Sequence, residues 1–229
     1  MLFGMGVRDR ARAETSERIL AAARQQIAEH GGVGLSMRAV AREAGLVSSA
    51  VYRYVETREA LLTAMIIESY GHLAEALQAV NALGEERRWR ALAVAFREWA
   101  LANPHEFQLI YGTPIPGYVA PPETVPAAAA VAAPFVSCLG EHRVDGFTSG
   151  ELESQLAASA GGFGVSPSGL GAVIAELAAL VGVVSLELAG HLVGTADPAD
   201  HLFAAIVDRQ VETLGLGGWE RRVRRGRRR

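Results

Sequence analysis

Hydrophobic positions recur at helical spacing along most of this chain, and no stretch sustains the alternation of a half-buried strand. Ile19, Leu20, Ala23 and Ile27 form an apolar stripe, which Gly31-Gly32 ends as a C-cap does. Ser36 precedes a short pattern of Val40, Ala41 and Ala44, in N-cap position. Gly45 breaks that helix, Ser48 or Ser49 is placed to cap the next, and Thr57 to cap a longer one, Thr57 to Val80, with Leu62, Met65, Ile66, Leu73 and Leu77 at helical spacing. The pattern predicts an all-α fold.

The spacing of Ala41, Gly45 and Val51 is more informative than the periodicity. Two helices crossing steeply at a tight turn need a small residue where they approach, a glycine free to take a left-handed backbone, and an apolar anchor on the second helix. With Val51 turned inward, Ser48, Ser49, Tyr52 and Arg53 point largely outward, where a DNA major groove supplies donors and acceptors. From these residues alone an ordinary helical hairpin with a solvated face also fits.

Charge sharpens the picture. The formal charge of −3 conceals nine Arg against seven acids in residues 1–60, six Arg against eighteen acids in residues 61–220, and seven Arg in residues 221–229. A polyanion is attracted to the ends of such a chain and repelled by its middle. All 22 basic residues are Arg, so phosphate-loop, Schiff-base and pyridoxal-phosphate chemistry lack their lysine. The one cysteine, Cys138, excludes an intramolecular disulfide framework, and the short apolar start, Met1 to Val7, lacks the basic lead and the length of a secretory segment. A cytoplasmic protein is expected.

Residues 18–62, "RILAAARQQIAEHGGVGLSMRAVAREAGLVSSAVYRYVETREALL", resemble the N-terminal DNA-binding domain of the tetracycline-repressor (TetR) family, in order and in spacing. The resemblance implies a three-helix helix-turn-helix domain over residues 1–56 with Ser48 to Tyr54 as recognition helix. It further implies a regulatory ligand-binding and dimerisation domain, a helical bundle, over residues 57–218, with the helix from Thr57 as the link. By position, Arg38 matches a site that reaches bases, Ser48, Ser49 and Tyr52 match base or phosphate contacts, and Tyr54 matches a frequent backbone contact. Arg58 stands where the family usually has a lysine holding a phosphate. Val55 and Ile27 replace the more common Phe, which predicts a repacked small core.

Beyond the linking helix, Trp89, Leu92, Phe96 and Trp99 fall on one helical face, and Asn103-Pro104 ends that helix before a short apolar segment, Phe107 to Tyr111. Such a stripe is either plain core or the wall of a small-molecule pocket. On the second reading Trp89, Phe96, Trp99, Phe107, Tyr111 and Phe135 line an apolar cavity for a small hydrophobic effector. "GTPIPGYVAPPE", residues 112–123, reads as a rigid loop and resembles one in actinobacterial-type members of the family. Helical patterns follow at Ala127 to Leu139, interrupted by Pro134, and at Glu151 to Ala160.

Residues 170–193 are the most apolar stretch, but their uninterrupted core, Leu177 to Leu186, is too short to span a bilayer, and no membrane association is predicted. A helix apolar nearly all round is buried on more than one side, by its own core or by a partner chain. Asp197-Pro198 is placed to start a last helix with Phe203, Ile206, Val207, Val211 and Leu214 inward. In the family this chain resembles, two such helices from each subunit form a four-helix interface, which implies a homodimer through residues 170–214 on a double-stranded DNA operator.

Catalytic signals are weak. The six His show no i,i+4 pairing, no G-x-S-x-G elbow is present, and the glycines of "GGFGVSPSGLG" have the wrong spacing for a dinucleotide site. No enzyme, metal or cofactor is predicted. The tail, residues 219–229, is read as a disordered basic end or as an added phosphate attractant. The expected protein is an all-α transcriptional regulator, a repressor released by a small apolar or aromatic ligand; a ligand-independent DNA-binding or architectural protein is the alternative.

Overall fold

The computed structural model describes residues 7–81 and 84–217, and every regular element among them is helical. Ten α-helices follow in order: α1 (Val7–His30), α2 (Met37–Glu43), α3 (Ser48–Val51), α4 (Arg58–Gln78), α5 (Glu85–Ala102), α6 (Pro104–Tyr111), α7 (Val125–Val136), α8 (Gly150–Phe163), α9 (Pro167–Leu188) and α10 (Asp200–Thr213). The expected basic tail at 219–229 lies outside the described residues. Two compact units divide the chain: residues up to Gly71 together with Asn103–Ala128, and residues from His72 to Ala102 together with those from Ala129 on.

The first unit is built on a small core. Ile19, Ala23 and Ile27 of α1, Val40 and Ala41 of α2, Val51 of α3, and Leu61, Leu62 and Met65 of α4 are all buried in it. Ile27 is buried in this core and Val55 packs half-buried against it. The chain turns after α1 at Gly31, φ 67°, whose N–H reaches Ile27 O at 2.8 Å. Ser36 and Thr57 cap α2 and α4 as expected, accepting from Ala39 N at 3.5 Å and Ala60 N at 3.0 Å. Helix α6 and the proline-rich loop pack on the same core through Leu109, Ile115 and Tyr118. They do so closely: a Cβ on Gly32 would come within 2.5 Å of Ile115 Cδ1. The Tyr118 hydroxyl meets Thr63 Oγ1 at 3.0 Å.

In the second unit the aromatic face of α5 is core. Trp89, Leu92 and Phe96 are fully buried, and Trp99 is nearly so. The indole N–H of Trp89 donates to Gln210 Oε1 at 3.0 Å, and Gln210 Nε2 donates to the Glu176 carbonyl at 2.9 Å, so a completely buried amide ties α5, α9 and α10 together. The Glu176 carboxylate, itself buried, receives Arg209 at 2.8 Å. Arg97 forks onto Glu187 at 2.6 and 2.8 Å and reaches Asp200 at 3.0 Å.

Two expected helix starts differ. Neither Ser48 nor Ser49 caps α3: extended Val47 holds that position without a side-chain bond, because the helix already includes both serines and leaves their hydroxyls exposed. Asp197-Pro198 precedes rather than opens α10, which starts at Asp200 after Ala199; the Asp200 carboxylate is held below its ordinary range by the Arg97 guanidinium. Helix α9 is longer than its uninterrupted apolar core suggested. Its 22 residues, with mean hydropathy 2.1 over the most apolar window, are enough by length and composition to cross a bilayer, but half of that window is buried inside the protein.

Candidate nucleic-acid interface

Helix α2, its turn and α3 form the motif that the spacing predicts. Gly45 takes φ 67° and its N–H bonds Arg42 O at 3.1 Å, while Leu46 N reaches back to Ala41 O at 2.8 Å. This pair of bonds is a Schellman closure, which satisfies the last carbonyls of α2 and lets the chain reverse into α3. Leu46 packs on the core and Val51 is completely buried, so the roll of α3 about its axis is set from beneath.

What remains outward is the polar set. Arg38, Ser48, Ser49 and Arg53 are exposed, and Tyr52 is half-exposed with its ring clear of the core. These five share the outer surface of one motif. Tyr54 differs, since it is half-buried against the core, and the Arg12 guanidinium carbon lies 5.6 Å over its ring.

Arg58 has a role within the protein that its sequence position does not announce. Its Nε donates to Leu35 O at 2.8 Å and one Nη to Gly32 O and Val33 O at 3.0 Å, so the fork that was expected to hold a phosphate clasps the carbonyls between α1 and α2. The cause is geometric: these carbonyls lie in the short turn between α1 and α2, where Gly32 O receives only a long bond from Leu35 N at 3.4 Å and has a lone pair to spare for the guanidinium.

Sequence reasoning missed two residues at this surface. Arg12 carried no signal beyond its place in an arginine-rich lead, since its partner Tyr54 is 42 positions away. Val47 is 70% exposed at the entrance of α3, a position that apolar patterning assigns to the core.

The aromatic residues expected to line a cavity fall into two groups. Trp89 and Phe135 meet edge-to-face at 5.1 Å in the second unit, together with buried Phe96 and Trp99. Phe107 and Tyr111 belong to the first unit, 5.4 Å apart, with Tyr70 edge-on to Tyr111 at 6.1 Å. Burial pushes the phenols of Tyr111 and Tyr70 above the ordinary tyrosine range, so both remain neutral hydroxyls. An open groove of about 380 Å³ lies between α5 and α10, with Val94, Leu101, Phe203 and Val207 below the Arg90–Asp208 and Arg97–Asp200 pairs. Burial also pushes the Cys138 thiol up to about 11, which removes it as a nucleophile near neutral pH.

The model of bacterial regulatory proteins of the tetR family matches residues 19–65, and that of the tetracyclin repressor-like C-terminal domain matches residues 89–210. The chain belongs to the TetR family. Curated relatives of this TetR-family protein include the HTH-type transcriptional regulators Mb1846 of Mycobacterium bovis and Rv1816 of Mycobacterium tuberculosis, each 38% identical over 152 residues. The match spans 65% of this chain and 64% of each relative, so just under two thirds of those proteins is covered. The crystal structure of SCO4313, a proposed regulatory protein, superposes with a TM-score of 0.74 at 31% identity, covering 90% of this chain and 100% of that one. A protein of unknown function from Rhodococcus sp. RHA1 follows at 0.65 and 26%, covering 88% and 95%. Proteins of this family are transcriptional regulators rather than enzymes, and they bind DNA operators as dimers.

Proposed function

We propose that this chain is a cytoplasmic, homodimeric repressor that binds a double-stranded operator through residues 1–56 and senses a small apolar or aromatic ligand through residues 57–218. The observation that carries the first half is the exposed polar set, Arg38, Ser48, Ser49, Tyr52 and Arg53, held over buried Val51 by the closed turn at Gly45. Hydroxyls and guanidinium groups at the start of a recognition helix are the donors that base edges and phosphates accept. Tyr54 adds a backbone contact beside them, and Arg58 acts by bracing the turn.

Dimerisation is assigned to residues 170–214. Ile174, Ala178, Gly182 and Leu186 recur every fourth residue of α9 and are all exposed, an uncharged stripe that a partner's stripe would cover. The effector reading draws on two separate aromatic groups, Trp89, Phe96, Trp99 and Phe135 in the second unit and Phe107 and Tyr111 in the first, each taken by itself. One observation favours the ligand-independent alternative: Trp89, Phe96 and Phe135 are fully buried, and the Trp89 N–H already has its acceptor.

The test is selection of sheared genomic DNA by the purified full chain, followed by competition with apolar aromatic compounds. A two-fold symmetric preferred site is expected, with its preference altered by Ser49→Asn. Absence of any preferred site at low salt would overturn the regulator. A preferred site that none of the compounds releases would favour the ligand-independent reading.

A further inference from the structure

We propose that the N-terminal part of α1 is a second DNA-contacting element, in which Arg12, seated on the Tyr54 ring, and Arg10 hold backbone phosphates flanking those met by the recognition helix. The inference rests on the operator-binding reading above and extends it to residues outside the helix-turn-helix.

Helix α1 is longer than its core requires. Its buried positions start at Ile19, whereas residues 9–14 are all exposed, about 9 Å of helix at 1.5 Å per residue. No apolar burial accounts for that extension. One contact does fix it beside the candidate interface: the Arg12 guanidinium over the ring of Tyr54, a residue that follows α3 directly and whose N–H bonds Val51 O at 2.9 Å.

The contact is of a kind that leaves Arg12 available. A guanidinium set 5.6 Å from a ring centroid spends no hydrogen-bond acceptor, and Arg12 is exposed, so N–H groups remain to donate to phosphate oxygens. Arg24, Arg90, Arg97, Arg143 and Arg209 are each bound to carboxylates, whereas Arg10 and Arg12, like the exposed Arg38 and Arg53 of the candidate interface, are not. Among the described residues Arg10 and Arg12 form no ion pair, although Asp9 and Glu14 are sequence neighbours. Unneutralised arginines beside an exposed hydroxyl-rich helix fit a polyanion, and a duplex that presents bases to Ser48, Ser49 and Tyr52 presents its phosphates on either side.

The experiment compares the full chain with the R10A/R12A variant on the selected operator, in a duplex with long flanks and in one trimmed to the half-sites. The wild type should bind the long duplex more tightly. The variant should lose that advantage, keep the same sequence preference and melt at the wild-type temperature, with its salt slope flattened by about 0.9 for each phosphate it no longer neutralises. Wild-type affinity and slope of R10A/R12A on the long duplex would overturn the inference. So would an equal loss on both duplexes accompanied by a lowered melting temperature, which would make Arg12 a structural prop. If the wild type itself selects no site, the regulator reading fails, and this one with it.

Discussion

Arg58 separates two kinds of residue role that a sequence cannot tell apart. Its position at the start of α4 suits a phosphate contact, but its hydrogen bonds run to carbonyls 23 to 26 positions upstream. The local devices nearby were legible because each acts within one turn: the left-handed Gly45, the Thr57 cap, the buried Val51. Arg58, the Arg12–Tyr54 stack and the buried Gln210 were not, since their partners are distant in the chain. The structure also makes the brace testable. Arg58→Ala should lower stability by about 2 kcal/mol, because hydrogen bonds from a charged donor are worth about 1.5–3 kcal/mol each in favourable cases and solvent recovers part of that here. Arg58→Lys keeps the charge without the fork and should recover only part of the loss in urea unfolding. Full recovery of stability by Lys would mean that charge alone matters at this site, and the brace would be wrong.

At the scale of elements, α9 combines two demands in one helix. Its inner side carries Leu170, Val173, Leu180 and Val184 into the second unit, with Ser166 Oγ capping its start at 2.9 Å from Gly169 N. Its outer side carries the stripe from Ile174 to Leu186, in which Ala178 and Gly182 are small enough for a second helix to approach closely. Apolar composition announced both sides together, and for that reason it could not say which residues faced outward; the burial of Val173 and Val183 beside the exposure of Ile174 and Gly182 separates them. Burying such a stripe yields about 25 cal/mol per Å² before association costs are met. Ala178→Glu therefore places a charge where two copies would meet, at a position whose exposure should leave the monomer fold intact. Light scattering at micromolar concentration should show the wild type as a dimer and the variant as a monomer, with loss of tight operator binding. A variant that stays dimeric, with its melting curve unchanged, would move the interface off α9.

The whole molecule is organised differently from its chain order. Residues 103–128, which follow α5 and belong by sequence to the regulatory region, join the compact unit that contains the helix-turn-helix. Periodicity could not reveal this, because it records which face of a helix is apolar and is silent about which neighbour covers it. Helix α4 is shared: it begins in one unit, and the division falls between Gly71 and His72. A glycine inside a 21-residue helix is costly unless the position needs it, and here a Cβ would meet nothing within 4 Å. No steric need therefore keeps a glycine at position 71. Gly71→Ala should stabilise the protein by about 0.5–1 kcal/mol through helix propensity and reduced unfolded-state freedom. In a domain of this size that corresponds to a rise in melting temperature of about 1–4 °C. Operator affinity without ligand should be unchanged, since Gly71 is remote in sequence from every proposed DNA contact. Where an effector acts by bending α4, release should need a higher concentration of a compound that frees the wild type, because an effector shifts binding only by its differential affinity for two states and alanine disfavours a bent helix. If the melting temperature rises while release is unaltered, α4 does not flex at Gly71, and the path from effector to operator must run through another element.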